Sequence, residues 1–152
     1  MSTGNPRVYL IDASIYIFRA WFSVPGSLTN SAGEPINAVH GFAGFLAGFL
    51  AEARPTHAAV VFDESLTTSF RNELYPDYKA NREPAPPELK RQFEMCRRLV
   101  EALGLAGYSS DRYEADDLIG TLAAALRPQG FAIEILSADK DLAQLVGERD
   151  VL

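Results

Sequence analysis

Three short apolar runs, separated by stretches of helical periodicity, constrain the fold of this chain more than any other feature. The runs cover residues 8–11, 58–62 and 131–136, the last interrupted by Glu134, and each is rich in residues that favour β-strands. Continuous apolar runs of this length are typical of strands that are buried on both faces of a parallel sheet. We therefore predict an α/β fold, a three-layer sandwich with a mostly parallel sheet and helices on both faces.

Apolar residues at helical spacing fill the intervals between these runs. They recur from residue 39 to 50, and we predict Asn37 as the N-cap of this first helix. Gly41, Gly44 and Gly48 fall inside it, so we interpret them as positions of close helix packing and not as a phosphate loop. Further helices are predicted from Pro86 or Pro87 to a stop at Gly104, from about residue 114 to 127, and from residue 140 to 146.

Length and composition favour one compact domain, because the chain has 152 residues and a hydrophobic content of 47%. Its single cysteine, Cys96, cannot form an intramolecular disulfide, which favours a reducing, cytoplasmic compartment. We expect Cys96 and Trp21 in or near the core. No apolar run approaches the ~20 residues that span a bilayer, so we expect a soluble protein without a membrane partner.

Each predicted strand leads into an aspartate, and these are Asp12, Asp63 and Asp139, with Asp141 close behind the last. In a parallel sheet, ligands bind beyond the carboxyl ends of the strands, so these side chains should converge on one crevice. A further acidic group, Glu114-Ala-Asp116-Asp117, opens the helix predicted from about residue 114. Glu114 and Asp117 lie three apart, which puts them on the same face of its first turn.

Each acid alone has an ordinary structural explanation, because Asp favours helix N-caps and first-turn acids complement the helix dipole. The whole set is harder to explain, since two carboxylates ~4 Å apart repel by about 4 kcal/mol at an effective dielectric near 20. Bound divalent cations would relieve this repulsion. Oxygen ligands without His or Cys indicate Mg²⁺ or Mn²⁺, whose usual role is phosphoryl chemistry. We expect one or two such ions and no small-molecule cofactor.

Residues 64–87 differ from the rest of the chain, because they have no sustained apolar period and contain several prolines. Arg71, Lys79 and Arg82 lie here, interleaved with Tyr75 and Tyr78. Basic residues beside aromatic rings can hold phosphates and stack bases, although such residues are also common on solvated surfaces. We predict a flexible loop that contacts substrate. Because the net charge of the chain is −6, binding of a nucleic acid would need local positive charge of this kind to meet the phosphates.

Several short motifs together resemble one family. They are LID at residues 10–12, FR at 18–19, GEP at 33–35, VFD at 61–63, SFR at 69–71, YKANR at 78–82, YEADD at 113–117 and ADKD at 138–141. In this order they resemble the 5′ nuclease domain at the N-terminus of bacterial DNA polymerase I and its free-standing exonuclease and flap endonuclease relatives. The resemblance implies a PIN-like fold and a metal-dependent 5′-3′ exonuclease or flap endonuclease of DNA replication and repair.

The resemblance also implies roles for particular residues. The implied metal positions are the acids Asp12, Asp63, Glu114, Asp116, Asp117, Asp139 and Asp141, which hold two ions in the intact family. The implied DNA contacts are Arg19, Arg71, Tyr78, Lys79 and Arg82, with Lys79 and Arg82 at catalytic positions. The implied partner is DNA with 5′ ends or flaps.

We interpret residues 1–152 as the N-terminal catalytic domain of such an enzyme, with residues 64–87 as its flexible arch or substrate loop. Relatives continue into a further acidic pair and a helix-hairpin-helix element, so we expect this chain alone to have impaired activity. One alternative is a non-catalytic fragment that binds DNA or metal. Another is a PIN-type ribonuclease, against which the YKANR motif argues. A response-regulator-like phosphoacceptor would need a second acid directly after Asp12, which Ala13 does not supply.

Overall fold

The structure is a computed structural model that describes residues 4–63 and 86–137. Its elements in chain order are β1 (Arg7–Asp12), α1 (Ala13–Ser23), α2 (Asn37–Ala53), β2 (His57–Val61), α3 (Pro87–Ala102), β3 (Ala106–Tyr108), α4 (Ala115–Leu126) and β4 (Ala132–Leu136), with a short 3-10 helix at Arg127–Gln129. The predicted helix at residues 140–146 and most of the predicted loop lie outside the described residues.

The four strands form one parallel sheet in the order β3-β2-β1-β4. In the register of β1, Asp12 lies opposite Val61 of β2, and Ile11 lies opposite Leu136 of β4. Because all strands run in the same direction, their carboxyl ends share one edge of the sheet, which we call the carboxyl edge. The predicted parallel sheet is therefore confirmed, and β3 adds an edge strand that the sequence analysis did not predict.

Helices cover both faces of this sheet, as predicted. On one face, Ile11 and Val60 pack against a core that includes Phe42 and Leu46 of α2 and residues of α1 and α3. On the other face, Leu10 packs with residues of α4 and β4. Successive residues of a strand point to opposite faces, which explains why neighbouring residues of β1 belong to different cores. The three-layer sandwich is confirmed.

Asn37 is not the N-cap of α2, because Ile36 occupies that position and Asn37 is the first helical residue. The Asn37 side-chain amide instead donates to the carbonyl oxygens of Trp21 at 2.9 Å and Val24 at 3.3 Å, at the end of α1. This contact between two helices replaces the local cap that the sequence suggested.

Gln92 of α3 completes the arrangement. Its side-chain nitrogen donates to Asn37 Oδ1 at 3.0 Å, and its Oε1 accepts the backbone N–H of Val39 at 3.0 Å. The N-terminus of α2 thus receives a hydrogen-bond acceptor from another helix and not from its own first residue. We call Asn37, Gln92 and their backbone partners the amide network; it joins α1, α2 and α3.

The glycines of α2 differ from one another. Among the residues that the structure describes, a β-carbon at Gly41 would overlap Ala20 of α1, whereas nothing lies within 4 Å of a β-carbon at Gly44 or Gly48. The predicted close packing is therefore right for Gly41 and wrong for the other two.

Cys96 is fully buried among the helices on the same face as Gly41, as predicted, and Trp21 packs against that core. Burial raises the pKa of the Cys96 thiol to about 12. Within residues 4–63 and 86–137, no helix has the length and apolar character needed to cross a membrane.

Candidate metal centre

Asp12 ends β1 at the carboxyl edge, where it is 9% exposed. The hydroxyl of Ser137, the residue that follows β4, donates a hydrogen bond to Asp12 Oδ2 at 2.9 Å. The pairing of Ile11 with Leu136 brings the two residues side by side, because each is the next residue in its chain. A charge-assisted hydrogen bond of this kind offsets part of the cost of burying the carboxylate.

Asp63 lies two residues beyond the end of β2 and contacts two helices. Its backbone N–H donates to the hydroxyl oxygen of Ser14, in the first turn of α1, at 3.3 Å. Its Oδ1 accepts the backbone N–H of Ala115, the first residue of α4, at 2.7 Å. Since the first N–H groups of a helix have no partner within the helix, Asp63 supplies one from the sheet edge. This contact holds the start of α4 against the carboxyl edge.

The start of α4 carries Glu114, Asp116 and Asp117, the acidic group that was predicted from the sequence. Glu114 is its N-cap, and the side chains of Glu114 and Asp117 each accept the other's backbone N–H in a capping box. The backbone N–H of Glu114 donates to Asp117 Oδ2 at 3.1 Å. Asp116 Oδ1 also accepts the N–H of Asp117, at 3.0 Å. One carboxylate oxygen from each of these three acids lies within 4.8 Å of the others. We call Glu114, Asp116 and Asp117 the acidic cluster.

The capping role and a metal-binding role of the acidic cluster are compatible. An ionised carboxylate has two oxygens with about four lone-pair sites, so a hydrogen bond from the backbone does not exhaust it. Those backbone bonds also fix the carboxylates close together, at a helix N-terminus that favours negative charge. A donor set of carboxylate oxygens alone suits a hard divalent cation. The residues therefore fit such an ion.

Five of the predicted metal ligands lie in one region of the structure. Asp12 and Asp63 are at the carboxyl edge, and the acidic cluster is at the start of α4. Asp63 joins the two, because it bonds the first residue of α4. Arg19 lies on α1, exposed, with its guanidinium carbon 5.7 Å from the ring centroid of Tyr16. The other predicted site residues, Arg71, Tyr78, Lys79, Arg82, Asp139 and Asp141, lie outside the described residues.

Ser14 and Ser137 were not predicted as site residues from the sequence. Both carry a hydroxyl close in sequence to an acid that follows a strand, and this proximity was the available signal. Their actual partners depend on the pairing of strands that are distant in sequence, since Ser137 and Asp12 are separated by 125 positions.

Solved structures similar to this chain show where its fold occurs. The T5 D15 protein, co-crystallised with metal ions, aligns over 95% of this chain and 52% of its own, with a TM-score of 0.69 and 17% identity. The catalytic core of Rad2 in complex with DNA substrate aligns over 91% of this chain and 41% of its own, with a TM-score of 0.53 and 15% identity. At these identities the similarity concerns the fold alone.

Other relatives share a much higher sequence identity with this chain. DNA polymerase I of Geobacillus stearothermophilus is 46% identical over 139 residues, which cover 91% of this chain and 16% of the relative. The thermostable DNA polymerase I of Thermus thermophilus is 43% identical over 143 residues, which cover 94% of this chain and 17% of the relative. The chain thus spans about 16% of the length of the curated relatives it matches. Residues 7–152 match the family described as the 5′-3′ exonuclease, N-terminal resolvase-like domain, and the chain belongs to that family.

Proposed function

We propose that this chain is the metal-binding catalytic part of a nuclease that hydrolyses phosphodiester bonds of DNA at 5′ ends or flaps. The observation that carries the proposal is the acidic cluster, held beside Asp63 at the carboxyl edge of a parallel sheet. Membership of the 5′-3′ exonuclease family supports the reaction and its polarity. The DNA polymerase I relatives support a role in DNA replication and repair.

The proposed cofactor is Mg²⁺ or Mn²⁺, in one or two copies. The acidic cluster would hold the ion together with Asp12 and Asp63, and Asp139 and Asp141 are proposed as further ligands. When bound, such ions supply a water nucleophile at neutral pH and stabilise negative charge on the phosphodiester.

The described residues of the chain would orient this centre. Asp63 holds the first turn of α4 at the sheet edge, and the capping box keeps Glu114 and Asp117 in fixed positions. The exposed guanidinium of Arg19 is proposed to bind the DNA backbone. Local contacts of this kind are needed because the net charge of −6 repels DNA from most of the surface.

Residues 64–87 are proposed as the substrate loop within a catalytic domain that covers residues 1–152. In this loop Arg71, Tyr78, Lys79 and Arg82 would contact DNA, with Lys79 and Arg82 taking part in catalysis. A DNA substrate and a buried, reduced cysteine both suit a cytoplasmic location, which is part of the proposal.

A 5′-labelled flap duplex incubated with the chain and Mn²⁺ tests the function. The informative variant combines Glu114→Gln, Asp116→Asn and Asp117→Asn, because the amides keep the hydrogen-bond acceptors and remove the charges. We call it the amide variant. A matched control combines Glu52→Gln, Glu94→Gln and Glu101→Gln, which removes the same charge from exposed positions on α2 and α3.

We expect the unaltered chain and the control to cut the flap and the amide variant to fall to background. Equal cleavage by the amide variant would contradict the proposal. Binding of the duplex without cleavage by the unaltered chain would favour the non-catalytic alternative. Faster cleavage of an RNA flap than of the DNA flap would favour the PIN-type ribonuclease.

A further inference from the structure

We propose that Ser137 is a positioning residue of the metal centre, whose hydroxyl sets the direction of the Asp12 carboxylate. The inference rests on the proposed function, because it assumes that Asp12 is a metal ligand. Its basis is the 2.9 Å hydrogen bond that Ser137 Oγ donates to Asp12 Oδ2.

The backbones on both sides of this bond are held in place. Asp12 is the last residue of β1, and Ser137 directly follows β4, which pairs with β1 through Leu136 and Ile11. The strand pairing therefore fixes the separation of the two residues, and the hydrogen bond restricts rotation of the carboxylate. Because a carboxylate is planar, fixing Oδ2 also fixes the direction of Oδ1.

A metal site needs its ligands held in one direction, and hydrogen bonds to ligating carboxylates commonly provide this. Asp12 is nearly buried, so few water molecules can take the place of the serine hydroxyl. Loss of such a supporting partner typically reduces metal affinity or activity by about 10- to 100-fold. Ser14 makes a related contact, in which its hydroxyl oxygen accepts the backbone N–H of Asp63.

The test is Mn²⁺ titration by calorimetry, without DNA, of the unaltered chain and of Ser137→Ala, Ser137→Thr and Ser109→Ala. Threonine keeps the hydroxyl and alanine removes it. Ser109 is the matched control, because it also follows a strand of this sheet, β3, but is exposed. The titrations are run at a temperature at which circular dichroism shows every variant folded, so a loss of stability alone leaves the dissociation constant unchanged.

We expect Ser137→Ala to bind Mn²⁺ about 10-fold more weakly or worse. We expect Ser137→Thr to stay within about 2-fold of the unaltered chain and Ser109→Ala to bind equally well, since both leave the contact with Asp12 in place. Unchanged affinity in Ser137→Ala would overturn the inference and leave the proposed function standing. Equal losses in Ser137→Ala and Ser137→Thr would also overturn it, because the hydroxyl would then not be the cause. Absence of Mn²⁺ binding by the unaltered chain would remove the proposed function itself.

Discussion

Two regions of this molecule bury polar side chains, and they do so in opposite ways. In the amide network, Asn37 and Gln92 are neutral, and their donors and acceptors pair with one another and with backbone groups. At the carboxyl edge, Asp12, Asp63 and the acidic cluster offer acceptors alone and carry like charges. In the first arrangement, the polar groups carry no net charge and find their hydrogen-bond partners within the protein. In the second, we propose that a divalent cation offsets the repulsion between the carboxylates.

We propose that this contrast separates structural polar groups from metal-binding ones. A neutral, fully paired network stabilises a particular packing of helices, and removing one member leaves its partners unpaired. A group of carboxylates held together by backbone N–H groups instead places like charges close together, and like charges repel one another. We therefore expect substitutions in the two regions to act on different quantities, the free energy of unfolding in one and metal affinity in the other.

The largest effect on stability is expected for Gln92→Ala. It leaves Asn37 Oδ1 and the N–H of Val39 without their partner and opens a cavity at a fully buried position, at a cost of about 2–4 kcal/mol. Urea denaturation measures this change. Gln129→Ala is the control, because Gln129 is exposed and its side chain bonds the carbonyl of Ala125. A cost for Gln92→Ala no greater than the control's would contradict the structural role of the amide network.

Gly41→Ala is expected to cost about 1–3 kcal/mol, because the new methyl group meets Ala20 of α1. Gly44→Ala, on the same helix, meets no described residue within 4 Å and should stabilise by up to about 1 kcal/mol through helix propensity. Thermal melting of both variants compares them directly. If both shift the melting temperature in the same direction, the close approach of the two helices is wrong.

At the carboxyl edge, Asp63→Ala is expected to be less stable than Asp63→Asn by about 1 kcal/mol in the absence of metal. Asparagine keeps an acceptor for the N–H of Ala115, which alanine lacks, and both remove the charge. Urea denaturation in the presence of a chelator gives the difference. Equal stability of the two variants would show that the contact with α4 contributes nothing.

The sequence predicted the elements whose signal is local. β1, β2, β4, α2, α3 and α4 each show an apolar period or a buried run, and Pro87 opens α3 where a proline is tolerated. Helix α1 was missed because it continues the apolar run of β1, so its helical period is hidden. Strand β3 was missed because its exposed residues show no alternation, and it is defined by its pairing with β2.

The same distinction applies to the site. Strand ends and the spacing of Glu114 and Asp117 are visible in the sequence, so the acids of the carboxyl edge could be predicted as a group. The capping box was not predicted, because Glu114 was expected in the first turn of α4 and is its N-cap. The partners of Ser14, Asn37 and Ser137 could not, because each bonds a residue that only the tertiary fold brings near.

The smallest effect is expected for Cys96, which lies in the same core as α1 and α2. Burial raises its pKa to about 12 from an ordinary value of 9.0. Its neutral thiol therefore contributes stability that is complete below about pH 9 and is lost as the pH rises toward about 12. At pH 8 we expect no loss of stability and slow reaction with a thiol reagent, becoming fast in urea. Fast labelling of the folded chain at pH 8 would place Cys96 outside the core.

The most direct test of the contrast is Mn²⁺ titration by calorimetry. It compares the unaltered chain, the amide variant and the control that combines Glu52→Gln, Glu94→Gln and Glu101→Gln. The amide variant keeps one acceptor oxygen in each capping side chain of α4 and removes the charges, so it should still fold without metal. We predict that the unaltered chain and the control bind Mn²⁺ with the same affinity and that the amide variant shows no binding at the cluster. Equal binding by all three would contradict the account, because the acidic cluster would then serve the helix alone.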